Sequence, residues 1–387
     1  MRIRRNESKF KRIKETAIED GINYIIGLSG VSIPWATAKE LWKMRKESSP
    51  ANFVDWELKD WPQIYRNEIN SVVSLQYKGN DYLLPQVWIF NNVRRKLDLS
   101  QISFKLKEKP FDLRGDISAL TEIPYEKLRS YLQKKRKYVN GQNLRLINII
   151  DKKTKVELEV QPVEYKHYVH TNLVLDAKSS GKSQTLREYI HPDGNLKKLS
   201  ESPLANQLGI NILLFTADGS LIMQERSSKV AFYNGQLCPA ASGTVSLIDV
   251  PKKEKITLEE MHEFREGWEE IGIEEKDISK DRFFFLGITR ELIRGGTPEM
   301  FFCGKTDLSE KEIKERWKYA RDKWESKNLI FFHFGKSAYE DLTQKGKIHK
   351  FLCKIDDFLD KYMEKSSIPL LTNLALWVKY RLKLKVK

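Results

Sequence analysis

The run from Leu208 to Thr216 (LGINILLFT) is almost continuously apolar. A strand of this kind is buried on both faces, so it demands a layer of structure on either side and excludes a sheet open to water. Asp218-Gly219 supplies a turn, and Ser220 to Arg226 (SLIMQER) pairs back as a hairpin. Arg282 to Ile288, Glu299 to Lys305 and Leu329 to Phe334 read as further strands, Ser309 to Trp324 as a charged helix, and two helices close the chain. Strands and helices mingled in this way predict an α/β class with a mixed sheet.

Upstream the pattern is more broken. Residues 1–20 read as a basic helical start, and Lys39 to Glu47 as a second helix that Ser48-Ser49-Pro50 stops. Asn70 to Asn92 reads as β, with a turn at Lys78-Gly79-Asn80-Asp81. Tyr125 to Lys137 is expected to be a short basic helix, and Leu144 to Ile150 with Val156 to Val160 a hairpin. Residues 176–202 are polar and rich in turns, which sets a boundary near Ser202-Pro203. With 387 residues, 40% of them hydrophobic, the chain has material for more than one unit. The expected division is an N-terminal helical extension of unassigned role (1–80), an α+β accessory region (81–202) and a catalytic-type domain (203–387).

The chemistry is carried by Thr257 to Ile273 (TLEEMHEFREGWEEIGI). Thr257 with Glu260 makes a capping box that starts a helix, and Gly272 stands where a left-handed residue ends one. Met261, Phe264, Trp268 and Ile271 recur at helical spacing as an apolar stripe. Glu266, Glu269 and Glu270 fall at i, i+3 and i+4, on a face away from that stripe. Three carboxylates so close repel one another unless solvated or bridged by a cation, and a hard ion such as Mg²⁺ takes oxygen ligands of this kind. On the carboxylates alone, a solvated acidic face is the simpler reading.

The wording of the motif changes that. Arg265-Glu266-Gly267-Trp268-Glu269-Glu270-Ile271-Gly272-Ile273 resembles the second half of the Nudix box, R-E-U-x-E-E-x-G-U, with Gly267 departing from the aliphatic position U. The first half departs more: Thr257 stands where the box has glutamate, and the box glycine would be Gly243, separated by an insertion that holds Pro251 and a lysine cluster. Gln224 to Ala231 with Gly235, Tyr165 to Asn172, Leu204 to Gly209 and Asn373-Leu374 are similar to the branch that hydrolyses UDP-sugars. The resemblance covers roughly residues 120–387. It implies a Nudix α/β/α sandwich with a mixed sheet, preceded by the accessory region.

It also implies a chemistry. In such enzymes divalent ions offset the charge of the phosphoanhydride and activate a water. The resemblance assigns the metal to Glu266, Glu269 and Glu270, with Mg²⁺ as cofactor and Mn²⁺ as a substitute. Arg265 is implied to be structural, orienting a box glutamate, as are Gly243 and Gly272. Two residues compete for the catalytic base: Glu270, and Glu299 in the loop Arg294-Gly295-Gly296-Thr297-Pro298-Glu299 before a strand. Arg226 and Lys229, after the hairpin, are candidates for the substrate phosphates. The expected substrate is a nucleotide-sugar or related nucleoside diphosphate, cleaved to a nucleoside monophosphate and a phosphorylated product.

A competing reading keeps the fold and drops the turnover: a sensor of a nucleotide-derived signal, coupled to an N-terminal effector or membrane-contacting part. Intact glutamates favour the enzyme. The net charge of +15 attracts any polyanion, and a nucleic-acid partner rests on that alone, so none is expected. Cys238, Cys303 and Cys353 are far apart without CxxC spacing, which argues against disulfides or structural zinc and for a reducing cytoplasm. Gly21 to Ala38 is uncharged but diluted by Asn23, Ser29, Ser32, Pro34 and Thr37, so membrane contact there is the lesser expectation. Asp176 to Ser183 imitates a P-loop but has Asp176 at the first glycine, and His167 and His170 fall in no metal-ligand grouping.

Overall fold

Alternating burial builds the sheets, and the computed structural model shows how they stack. It describes residues 60–134, 138–178, 183–227, 233–249, 256–260, 270–278, 280–320, 323–340 and 342–382. The strands are β1 (Val72–Tyr77), β2 (Asn80–Asn91), β3 (Ile102–Leu106), β4 (Gln142–Lys152), β5 (Lys155–Glu164), β6 (Gly209–Phe215), β7 (Ser220–Arg226), β8 (Leu237–Pro239), β9 (Ala241–Thr244), β10 (Ile256–Thr257), β11 (Phe284–Glu291), β12 (Thr297–Lys305) and β13 (Ser326–His333). The longer helices are α1 (Gly115–Lys134), α2 (Glu310–Trp317), α3 (Lys345–Tyr362) and α4 (Ile368–Arg381).

Among the described residues the chain is mixed α/β with two mixed sheets. The larger has nine strands in the order β1-β2-β11-β12-β6-β7-β13, with β9 on β6 and β8 on β7; the smaller has four, β10-β3-β5-β4. In the larger sheet β12 and β6 run parallel and their other neighbours antiparallel. The apolar run Leu208 to Thr216 contains β6, an inner strand between β12 and β7, as its composition requires.

Period-2 alternation along β6 sends Ile210, Ile212 and Leu214 to one face and Leu213 and Phe215 to the other. The first set meets the inner face of the small sheet (Phe104, Leu146, Leu158), together with Ile271 and with Ile313 of α2. The second set meets α3 and α4 through Phe351, Phe358, Leu374 and Trp377. Phe215 and Trp377 pack with ring centroids 4.6 Å apart. Each such side chain, once fully buried, contributes about 1.5–3 kcal/mol.

Both sheets draw strands from either side of residue 202. β2, which begins at Asn80, pairs with β11, and β10 pairs with β3. The expected division at 80/81 falls inside β2. Turn chemistry behaves as read: Lys78 and Gly79 both have positive φ (48° and 80°) in the two-residue link between β1 and β2. At Gly219 the requirement is steric as well, because a Cβ there would lie 2.4 Å from the Gly335 carbonyl oxygen.

Two helices differ from expectation. α1 begins at Gly115 rather than Tyr125 and passes through Pro124; burial of Ile117, Thr121, Leu128 and Leu132 carries it across a residue that normally stops a helix. α2 ends at Trp317 rather than Trp324, and a separate turn, Lys323–Glu325, follows. The polar stretch 176–202 contains a short helix, Leu186–Ile190, capped by Thr185. No helix among the described residues is long and apolar enough to cross a membrane, and Gly21 to Ala38 lies outside them.

Candidate functional site

The site starts with the phase of β7. Ile222 faces the core between the sheets and Met223 the opposite core, so Gln224 shares the face of Ile222. Gln224 is 1% exposed. Its Nε2 donates to the Ala240 carbonyl at 2.6 Å and to Oε2 of Glu270 at 2.8 Å. Its Oε1 accepts from the Ser326 hydroxyl on the neighbouring strand. A donor aimed at a carboxylate favours the ionised form, the form a hard cation requires.

Glu270 reaches this position because the helix carrying it ends beside it. Ile271 is fully buried in the core between the sheets. Gly272 follows with φ +75°, and a Cβ there would lie 2.9 Å from the Arg316 carbonyl carbon, so the helix end docks against the end of α2. Upstream, the Thr257 backbone N–H donates to Glu260 at 2.8 Å and the Thr257 hydroxyl at 3.0 Å. The chain enters there through a short turn, Leu258–Glu260. Residues 261–269 lie outside the described residues, and with them Arg265, Glu266, Glu269 and the stripe Met261, Phe264 and Trp268. Lys229 lies outside them as well. Among the described residues no cluster of three His, Cys, Asp or Glu side chains is grouped as metal ligands are.

Arg226 stands two residues beyond Gln224, its side chain only 15% exposed, and Nη1 donates to Glu325 at 2.9 Å. Burial works against its charge, but Cys238, Glu325 and Glu270 outweigh that and hold its pKa above the usual value. The structure thus brings Arg226, Gln224 and Glu270 together. Glu325 arrives through the turn that follows α2.

Glu299 belongs elsewhere. It lies inside β12, not in the loop before it, opposite Gly209 and 3% exposed. Met300 and Phe302 face the core between the sheets, whereas Phe301 and Cys303 face α3 and α4. Alternation puts Glu299 with the second pair, on the face of the sheet opposite Gln224 and Glu270. The structure does not bring the two candidate bases together. Gln86 donates to Oε2 of Glu299 at 3.0 Å and in turn accepts from the Thr289 hydroxyl. Arg294 binds Glu299 and also Glu291, whose two oxygens share the single Tyr233 hydroxyl donor at 3.1 Å. Burial pushes the pKa of Glu299 up to about 7, against the pull of Arg294.

Gly243 has open space where a Cβ would stand, so sterics do not require glycine there. Asp176, in the P-loop imitation, forms a bidentate pair with the buried Arg187 at 2.6 and 2.7 Å. His170 stacks on Tyr125 with ring centroids 4.0 Å apart. Sequence reasoning missed Gln224, Ser326, Glu325, Gln86 and Glu291 as participants. Only Gln224 left a signal, the i, i+2 spacing to Arg226 on one strand face. No protein-family model matches the chain, and no curated protein matches it either.

Proposed function

We propose that the chain is a Mg²⁺-dependent pyrophosphohydrolase of the Nudix type. It would cleave a nucleoside diphosphate linked to another group, as in a UDP-sugar, to a nucleoside monophosphate and a phosphorylated product. One observation carries the reading: Glu270, in a stretch whose sequence resembles the glutamate half of the box, is fixed against the sheet by an amide donor with a guanidinium beside it. A mixed sheet layered between helices on one face and the site on the other is compatible with the sandwich that the resemblance implies.

In this reading Glu270, joined by Glu266 and Glu269 from the sequence pattern, would hold the divalent ion. The ion would supply charge neutralisation at the phosphoanhydride and a more acidic water. Gln224 keeps the Glu270 carboxylate aimed. Arg226, pinned by Glu325, presents fixed positive charge without having to be ordered on binding, which suits a diphosphate. Glu270 is the candidate base on the side of the sheet where these groups gather, and Glu299 on the opposite face serves the packing of the fold.

The test uses purified full-length protein with Mg²⁺, offered UDP-glucose, ADP-ribose, NADH and capped RNA in parallel with Glu270→Gln. Turnover of a nucleoside diphosphate that disappears in the variant supports the reading. Tight binding without turnover, unchanged in the variant, would replace it with a sensor.

A further inference from the structure

We infer that Lys379 is a site of covalent acylation: its ε-amine takes a small acyl group from an activated donor such as an acyl phosphate, and the indole N–H of Trp88 receives the new carbonyl. The site lies on the face of the large sheet covered by α4, opposite Glu270, and does not depend on the hydrolase reading.

Helical spacing creates the anomaly. Leu371, Ala375 and Lys379 fall at i, i+4 and i+8 on one side of α4, and all three are buried. A lysine therefore occupies a core position, only 4% exposed. Its amine lies over the Trp88 ring, 5.8 Å from the centroid. Among the described residues it makes no ion pair and no hydrogen bond, and Asp81 on β2 acts on it only through its field. Lysines are almost never buried this far without a partner, because an ammonium is costly to take out of water. Burial pushes the pKa of Lys379 down to about 8, against the pull of Asp81.

Trp88 supplies the second observation. Its ring lies against Gly287, where a Cβ would stand 3.1 Å from Cζ3. Its Nε1 is buried and finds no acceptor among the described residues. An indole nitrogen only donates, so this is an unmatched donor beside an unmatched amine.

Acylation resolves both. The neutral amine attacks the acyl carbon, the bond from that carbon to the phosphate oxygen breaks, phosphate leaves with the electron pair, and the amine proton passes to water. The product is an uncharged amide, so the cost of burying a charge disappears. Its carbonyl adds an acceptor beside the indole N–H.

The test treats folded full-length protein with acetyl phosphate at pH 8 and follows occupancy at each lysine by peptide mass spectrometry. At that pH an amine with a pKa of about 8 holds about 100-fold more of the reactive neutral form than an ordinary lysine. Lower basicity and the narrow opening reduce the advantage. Lys379 is expected to react about tenfold faster than Lys198 and Lys152, whose side chains are 81% and 60% exposed. The preference should vanish in urea. The Trp88 indole N–H resonance, assigned through Trp88→Phe, should move downfield on acetylation.

Acetylation of Lys379 no faster than that of Lys198 and Lys152 overturns the assignment. A preference that persists in urea does the same, since it would trace to local sequence. A Trp88 resonance that stays in place after acetylation overturns the role of the indole. If Trp88→Phe fails to fold, the resonance is assigned in wild type by through-bond connectivity.

Discussion

The two faces of the large sheet hold the same small device with different outcomes. On one face Ser326 donates to Gln224, which donates to Glu270. On the other Thr289 donates to Gln86, which donates to Glu299. A hydroxyl, an amide and a carboxylate stand in line each time, with the amide anchored on a strand. The surroundings differ. Around Glu299 burial is complete and Arg294 closes the remaining oxygen while holding Glu291 too. Around Glu270 burial is partial, and the nearby Arg226 is bound to Glu325. A sheet can therefore hold an oriented carboxylate either sealed in or partly open to solvent. Enclosure and the guanidinium's other commitments separate the two.

That contrast can be broken experimentally. The largest effect is expected at Arg294: Arg294→Met strands two buried carboxylates and should cost about 3–5 kcal/mol in urea unfolding. A loss below about 1 kcal/mol would mean the cluster is not a load on the fold. Next comes Glu270→Gln, which should lower turnover about 100-fold, equivalent to about 2.7 kcal/mol, with the melting temperature kept. If Glu270→Gln instead destabilises the protein as Arg294→Met does, the two faces do not differ in kind. Gly272→Ala should cost about 1–2 kcal/mol from the left-handed backbone, with further loss from the Arg316 carbonyl 2.9 Å from the new Cβ. A melting temperature equal to wild type would show that the helix end is not docked there.

The smallest reading is a slope with pH. Glu299 titrates near 7 in the folded chain against an ordinary 4.5, so the folded state binds the extra proton between these values. Its contribution is present in full below about pH 4.5 and is lost as pH rises through about 7. Glu299→Gln should flatten the fall in unfolding free energy between pH 5 and 8, and an identical slope in wild type and variant would contradict it.

Much of the fold was legible because its signals are local. The continuous apolar run marked β6, and the turn residues marked the β1–β2 and β6–β7 hairpins. In the site, Arg226 and Glu270 were legible as residues but not as neighbours. Arg226 read as a candidate for substrate phosphates, but its ion pair with Glu325, far along the chain, left no local signal. Glu299 read as standing where the loop Arg294 to Glu299 meets a strand, whereas pairing with Gly209 and Thr289 sets it inside a strand that starts at Thr297.

By itself the sequence determined the apolar strand β6, its hairpin partner β7 and the turns that join neighbouring strands, since periodicity and turn conformations act within a few residues; the start of α1 and the end of α2 it did not determine. Only the tertiary structure decided which strands lie side by side. With that came the face each glutamate occupies, the merging of residues 72–91 into the large sheet, and the hydroxyl–amide line that aims Glu270. These depend on contacts between residues tens to hundreds of positions apart, where local pattern carries no information about the partner.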